Sequence, residues 1–258
     1  MKKLTLLAIL QLFISCTGLI EKPYVQHYEY IAHAGGAIGG YTYTNSRESL
    51  DSAQAKGYRY IEIDLSFTTD SILIAAHSWE KFNSMTGFSH LGCEAPSTEE
   101  FMSRRIHNNY TPMTADDIHQ FFMQNKELYL VTDKISDPEV LAKYFPGLKE
   151  RMVVEAFSYE DYIQLRKEGY YRVLYSCMAN DLESTLTKHM LLDFLFPGDG
   201  IDWIALHTDG FDNKLFKLLY NTCDFKIALF TIDNLEEIEE EYIDRVFMIY
   251  TNNLPPIN

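Results

Sequence analysis

Glu62 and Asp64 stand two residues apart in the run Tyr60-Ile61-Glu62-Ile63-Asp64-Leu65. On a strand, side chains alternate between faces, so the two carboxylates point one way while Ile61, Ile63 and Leu65 point the other. Two acids held so close repel each other, and burying them is costly unless a proton or a cation neutralises them. A third acid, Asp133, closes the apolar run Leu128-Tyr129-Leu130-Val131-Thr132, with Lys134 beside it. Three carboxylates make an all-oxygen cradle that suits Mg²⁺ or Ca²⁺ rather than zinc. His33 closes another apolar run and precedes Ala34-Gly35-Gly36, where missing side chains let a ligand approach the backbone. His77 closes Leu73-Ile74-Ala75-Ala76. Two imidazoles flanking a metal are equipped for general acid and general base steps near neutral pH. Glu155 interrupts the apolar run Met152–Phe157 and is expected to line the same cavity. Trp79, just past His77, offers either a stacking face to a ligand or simple packing. His207, after Trp203–Leu206, is a weaker candidate for the rim, while His27, His90, His107, His119 and His189 read as surface or structural.

These residues need elements that bring their strand ends together. Nine short apolar, β-branched or aromatic runs occur, at Tyr30–Ala34, Tyr60–Leu65, Leu73–His77, Leu128–Thr132, Met152–Phe157, Arg172–Tyr175, Trp203–Leu206, Lys226–Thr231 and Val246–Thr251. Helical segments are predicted at Ser46–Lys56, Thr114–Asn125, Pro138–Tyr144, Tyr159–Lys167, Asp212–Tyr220 and Leu235–Tyr242, several opened by Asp, Ser or Asn. Alternation of this kind implies a parallel sheet with helical crossovers. The link Ser66-Phe67-Thr68-Thr69-Asp70-Ser71-Ile72 is too short for a crossover, so the second and third runs form an antiparallel hairpin. Eight parallel strands remain, and the prediction is an α/β (β/α)8 TIM barrel over residues 30–254. Its hairpin arm carries His77 to the level of Glu62 and Asp64. Active sites of such barrels lie at the C-terminal strand ends, where these acids and histidines fall. The stretch 80–110 lacks a clear period and reads as a loop insertion over the pocket.

The N-terminus differs from the rest. Lys2 and Lys3 precede an uncharged run from Leu4 to Ser15, too short to span a bilayer and laid out as a secretory signal. Phe13-Ile14-Ser15-Cys16 resembles a bacterial lipobox, although Phe13 replaces the usual Leu. The expectation is a lipoprotein signal over residues 1–16, a lipid anchor on Cys16, and a short linker over 17–29. The protein would then be an exported lipoprotein held at a membrane, periplasmic or at the cell surface; an ordinary secretory signal with an incidental Cys is the alternative. Cys93, Cys177 and Cys223 show no CxxC spacing and read as buried single thiols. The chain has 258 residues and a formal charge of −15, which argues against nucleic acid as a partner.

The ordered set Ile31-Ala32-His33-Ala34-Gly35-Gly36, Asn45-Ser46, Gly57–Asp64, Ala75-Ala76-His77, Thr132-Asp133-Lys134, Val154-Glu155-Ala156-Phe157, Phe230–Asp233 and Ile249–Asn252 resembles the glycerophosphodiester phosphodiesterase family. That family shares a barrel superfamily with the phosphatidylinositol-specific phospholipases C. The resemblance implies that His33 and His77 are the catalytic pair, that Glu62 and Asp64 are metal ligands, and that Asp133 replaces a Glu. Three departures stand out. Ala34 occupies the position of the family's phosphate-holding Arg. Thr44 occupies the position of a metal-binding Glu. Lys134 follows Asp133 directly rather than two residues later, which on a regular strand turns it from the pocket.

The resemblance implies a metal-dependent phosphodiesterase acting on glycerophosphodiesters or related phospholipid-derived diesters, a lysophospholipid-type substrate included. Often the substrate's own hydroxyl is the nucleophile, giving a cyclic phosphate. Asn45 is a candidate for a phosphate oxygen, for the metal shell, or for a helix N-cap. Asn45, Lys134, Trp79 and Glu155 form the substrate-binding set. A site of three acids and two histidines also resembles the sphingomyelinase D branch of the superfamily, which acts as a lyase. The remaining alternative is a lipid-anchored binding protein whose site does not turn over.

Overall fold

The computed structural model describes residues 28–177, 201–238 and 240–256. The signal segment, Cys16, most of the linker, His27 and His189 lie outside the described residues. Among the described residues nine strands form: β1 Glu29–Ala32, β2 Tyr60–Phe67, β3 Leu73–Ala75, β4 Tyr129–Asp133, β5 Met152–Ala156, β6 Val173–Cys177, β7 Trp203–His207, β8 Lys226–Phe230 and β9 Val246–Thr251. The parallel strands run in the order β1-β9-β8-β7-β6-β5-β4-β2, and β2 pairs again with β1, which closes the barrel. Closure is set by Ile31 opposite Tyr60 on one side and Tyr30 opposite Ile249 on the other.

Strand alternation sorts the apolar residues into two layers. Ile31, Val131, Val153, Leu174, Ala205, Ala228 and Met248 point inward and fill the barrel. Their neighbours Leu130, Val154, Val173, Ile204 and Ile227 point outward into the larger core beneath the helices. Four branched residues with Ala205, Ala228 and Met248 give the apolar filling of a barrel interior.

The helices start where small polar residues satisfy free backbone N–H groups. Helix α1, Arg47–Ala55, opens with a reciprocal capping box between Ser46 and Ser49. Four short or medium helices follow: α2 Trp79–Met85, α3 Thr98–Ser103, α4 Ala115–Gln124 and α5 Pro138–Tyr144. The last two of the described chain are α6 Tyr159–Lys167 and α7 Lys214–Thr222. Asp137 accepts from Glu139 N and Val140 N at the start of α5, where Pro138 sits in the first turn. Among the described residues, no helix is long and apolar enough to cross a membrane.

The hairpin forms as its link length required. Leu65 faces Ala75 and Phe67 faces Leu73 in antiparallel register. The pairing extends one step further, Ala76 N donating to Asp64 O at 2.9 Å, and this holds His77 at the level of the acids.

Three expectations change. Leu235–Tyr242 is not an α-helix but two 3-10 turns, Leu235–Glu237 and Glu240–Arg245. An α-helix there would set Glu236 against Glu240 and Glu237 against Glu241, like charges four residues apart. The stretch 80–110 carries no long period because α2 and α3 are only one or two turns each. Around them Ile74, Ala76, Phe82, Phe101 and Ile106 make a separate small core. Of the thiols, Cys177 and Cys223 are buried, but Cys93 is exposed, lying between the short helices of that stretch.

Candidate active site

A cavity of about 640 Å³ opens at the C-terminal ends of the strands. β2 supplies Glu62 and Asp64, and β4 supplies Asp133, which the register places directly opposite Asp64. One oxygen from each of the three carboxylates lies within 4.8 Å of the others. Glu62 Oε2 accepts from Ala34 N at 2.6 Å, whereas its buried Oε1 has no hydrogen-bond partner. Burial, and then the charges of Asp64 and Asp133, push Glu62 well above the usual carboxylate range. Asp133 is raised by burial and by Asp64, with Lys134 opposing. A buried, unpartnered oxygen amid mutually repelling acids is the donor set that a hard divalent cation satisfies.

The loop after β1 holds these acids from behind. Asn45 Nδ2 donates to Asp64 Oδ2 at 2.8 Å, and Asp64 N donates to Asn45 Oδ1 at 3.0 Å. Asn45 therefore clamps Asp64 and is not the helix cap, a role that falls to Ser46. Ala34, Tyr43 and Asn45 all have left-handed backbones, with φ of +49°, +59° and +47°. Such conformations are unfavourable for residues with a Cβ and concentrate at functional sites. Thr44 is buried and pairs its hydroxyl with Ser46 at 3.1 Å.

Lys134 shows why alternation misleads at a strand end. Its φ is +72°, so the chain leaves β4 through a left-handed residue and the side chain returns to the cavity. Its Nζ lies 3.1 Å from Asp133 Oδ2 and 3.5 Å from Asp64 Oδ1.

His33 and His77 both line the cavity. His33 Nδ1 lies 3.3 Å from Asn252 Oδ1 and 3.4 Å from Thr231 Oγ1. Because Asn252 Nδ2 donates to Asp233 Oδ2 at 2.9 Å, its Oδ1 faces the imidazole and accepts from Nδ1–H. That tautomer leaves the lone pair on Nε2. The buried Nδ1 of His77 has no partner. Both histidines are held down to about 4, chiefly by burial. For His77 the ammonium groups of Lys134 and Lys81 act in the same direction. Between the two imidazoles stands Tyr43, edge-on, with ring centroids 4.7 Å from His33 and 4.9 Å from His77.

Glu155 lines the cavity, and Tyr250 donates a hydrogen bond to its Oε1. Burial and Asp133 raise this carboxyl to about 8, with Tyr250 and Ser176 opposing. Phe157 and Phe230 add apolar wall. Two candidates lie elsewhere. Trp79 packs edge-on against Phe82 and Phe101, at 6.2 and 6.3 Å, in the small core and not in the cavity wall. His207 is turned outward, its Nδ1 3.3 Å from Asp209 Oδ2. The sequence assigns no role to Tyr43, and Tyr250 and Asn252 enter there only within the motif Ile249–Asn252. Alternation from Met248 would have pointed Tyr250 inward, but Tyr43 sits in irregular backbone where no period applies.

The sequence model of the "Glycerophosphoryl diester phosphodiesterase family" matches residues 36–185. Nothing among curated proteins matches the chain at a significant level. Among solved structures, a glycerophosphodiester phosphodiesterase from Thermotoga maritima is similar at a TM-score of 0.62 and 13% identity, covering 89% of this chain and 96% of its own. A glycerophosphodiester phosphodiesterase from Parabacteroides distasonis gives 0.59 and 18%, covering 89% and 94%. A phosphodiesterase from Oleispira antarctica, solved with the product sn-glycerol-3-phosphate, gives 0.60 and 18%, covering 87% and 92%. At these identities the likeness shows the barrel fold.

Proposed function

Because the chain belongs to the glycerophosphoryl diester phosphodiesterase family, we propose that it hydrolyses glycerophosphodiesters or related phospholipid-derived diesters with a divalent cation and a histidine pair. The observation that carries this reading is the meeting of three carboxylates and two imidazoles at one cavity, with a buried oxygen of Glu62 left unpartnered. Glu62, Asp64 and Asp133 would hold the cation, Mg²⁺ or Ca²⁺, which when bound supplies positive charge against a non-bridging phosphate oxygen.

The chain's own groups divide the remaining work. His33, with Nδ1–H committed to Asn252, presents Nε2 as the base that takes a proton from the attacking hydroxyl. His77 delivers a proton to the leaving oxygen. Burial, and then two neighbouring ammonium groups, disfavour its charged form, and a bound phosphodiester opposes the ammonium contribution. Lys134 offsets Asp64 and Asp133, so an anion meets less repulsion at the mouth. Asn45 keeps Asp64 oriented. Glu155, with Phe157 and Phe230 beside it in the cavity wall, hydrogen-bonds a hydroxyl of the alcohol portion.

The test is an aryl phosphodiester and a glycerophosphodiester assayed with Mg²⁺ or Ca²⁺, before and after chelation. Turnover that requires the cation and disappears in His33→Ala and His77→Ala is expected. Binding of the diester without turnover would instead make the protein a binding module. Thr44, buried and bonded to Ser46, leaves three acids in the cradle and favours a second reading, the lyase chemistry of the sphingomyelinase D branch. A cyclic phosphate as the end product, seen by phosphorus NMR, would distinguish it from hydrolysis to a monoester. The signal layout and Cys16 support export and lipid anchoring at a membrane. Metabolic labelling with a radioactive fatty acid, lost in Cys16→Ser, is the expected result.

A further inference from the structure

We propose that Lys81, on the first turn of α2, is the cation that receives a non-bridging oxygen of the phosphodiester, with Tyr43 as its resting platform. This rests on the phosphodiesterase reading above. The cavity presents Glu62, Asp133 and Glu155 to an anionic substrate, and Lys134, the cation in its wall, already faces two carboxylates at 3.1 and 3.5 Å. Ala34, buried behind Glu62 with its N–H on that carboxylate, carries no charge. Lys81 is differently placed. Its Nζ sits 3.2 Å from the centroid of the Tyr43 ring and forms no ion pair among the described residues.

The placement is directed at the chemistry. Tyr43 is the ring that stands edge-on between His33 and His77, so the ammonium lies one aromatic ring away from both imidazoles. Its charge acts on both of them, and Asp64 acts on it in return. Ser78 accepts from Lys81 N at 3.2 Å and caps α2 directly after His77, fixing the root of the side chain beside the catalytic arm. The flexible four-carbon stem leaves the head free to move. A hydrogen bond from ammonium to a charged oxygen outweighs the contact with an aromatic face, so an arriving phosphate draws Lys81 from the ring.

The test compares Lys81→Gln and Lys81→Arg with the parent in full-length protein. An aryl phosphodiester with Mg²⁺ gives KM and kcat, and calorimetry gives the affinities for sn-glycerol 3-phosphate and for Mg²⁺ alone. Lys81→Gln should raise KM and the Kd for glycerol phosphate about tenfold to a hundredfold, the weight of one charge-assisted hydrogen bond. Lys81→Arg should recover most of the loss, and Mg²⁺ affinity should not move. Unchanged KM and Kd in Lys81→Gln would overturn the assignment while leaving the hydrolase reading intact. Equal losses in both variants with a lowered Tm would overturn it too, by making Lys81 a structural prop. A parent that hydrolyses no diester, yet loses glycerol phosphate binding in Lys81→Gln, would sink the hydrolase and retain Lys81 as the anion site.

Discussion

The barrel's interior changes chemistry within a single strand repeat. On β4, Val131 faces inward and Asp133, two residues later on the same face, enters the acid cradle. On β5 the step is from Val153 to Glu155, on β6 from Leu174 to Ser176, and beyond β1 from Ile31 to His33. The apolar floor and the charged mouth share strands, faces and spacing, yet one supplies cohesion and the other repulsion. The floor also conditions the mouth. By closing the barrel to water from below, it makes burial the largest influence on Glu62, Asp133, Glu155 and both histidines. The acids are thereby biased toward accepting a cation or a proton, and the imidazoles toward neutrality.

That division can be attacked from both ends. The largest effect is expected at the mouth. His33→Ala and His77→Ala should each lower kcat by about 10²–10⁴, with melting curves close to the parent's. A matching loss of fold would mean that the mouth is structural. Next comes the floor, where Leu174→Ala should cost about 2–5 kcal/mol in urea unfolding while kcat per folded molecule stays near the parent's. A collapse of kcat without lost stability would erase the distinction.

Glu155 sits on the boundary and should show both characters. Its folded pKa is raised from 4.5 to about 8, so the folded chain holds the proton more tightly than the unfolded chain. Stability from this group is full below pH 4.5 and is lost as pH rises through about 8. Chelated protein should therefore melt lower at pH 8 than at pH 5, and Glu155→Gln should flatten that slope, a change of a few kcal/mol at most. The smallest effect falls on the support of the mouth. Asn45→Ala should weaken Mg²⁺ affinity by about 10–100-fold in calorimetry, because Asp64 loses both hydrogen bonds that orient it.

Much of this division was legible in the residues alone. The Glu62–Asp64 spacing on a strand, the seven-residue link before Leu73 and the strand count lead to a closed barrel with an antiparallel arm, because a period of two and a minimum crossover length are strict rules. Legibility fails where the backbone leaves regular form. Lys134 reaches the cavity through a left-handed residue, which alternation cannot express. Tyr43 reaches the histidines from irregular backbone, and Asn252 meets His33 across 219 positions of chain. Leu235–Tyr242 has the apolar spacing of a helix, but its carboxylates would stack along one face. Trp79 is ambiguous in the sequence because an aromatic beside a candidate site residue serves packing as readily as binding. The neighbours that settle it, Phe82 and Phe101, belong to a core built from two very short helices.

That small core has a consequence for how the protein can change over time. The arm β3 is double-faced, with Leu73 and Ala75 in the barrel's outer core and Ile74 and Ala76 in the core of the inserted stretch. His77 lies two residues beyond the strand that both cores grip. The inserted stretch is thus no detachable ornament that a lineage can lengthen, trade or discard while the chemistry waits unchanged beneath it. Any exchange that rebuilds Phe82, Phe101 or Ile106 also resets the seat of His77, so novelty in this module and the aim of the histidine are inherited as one unit.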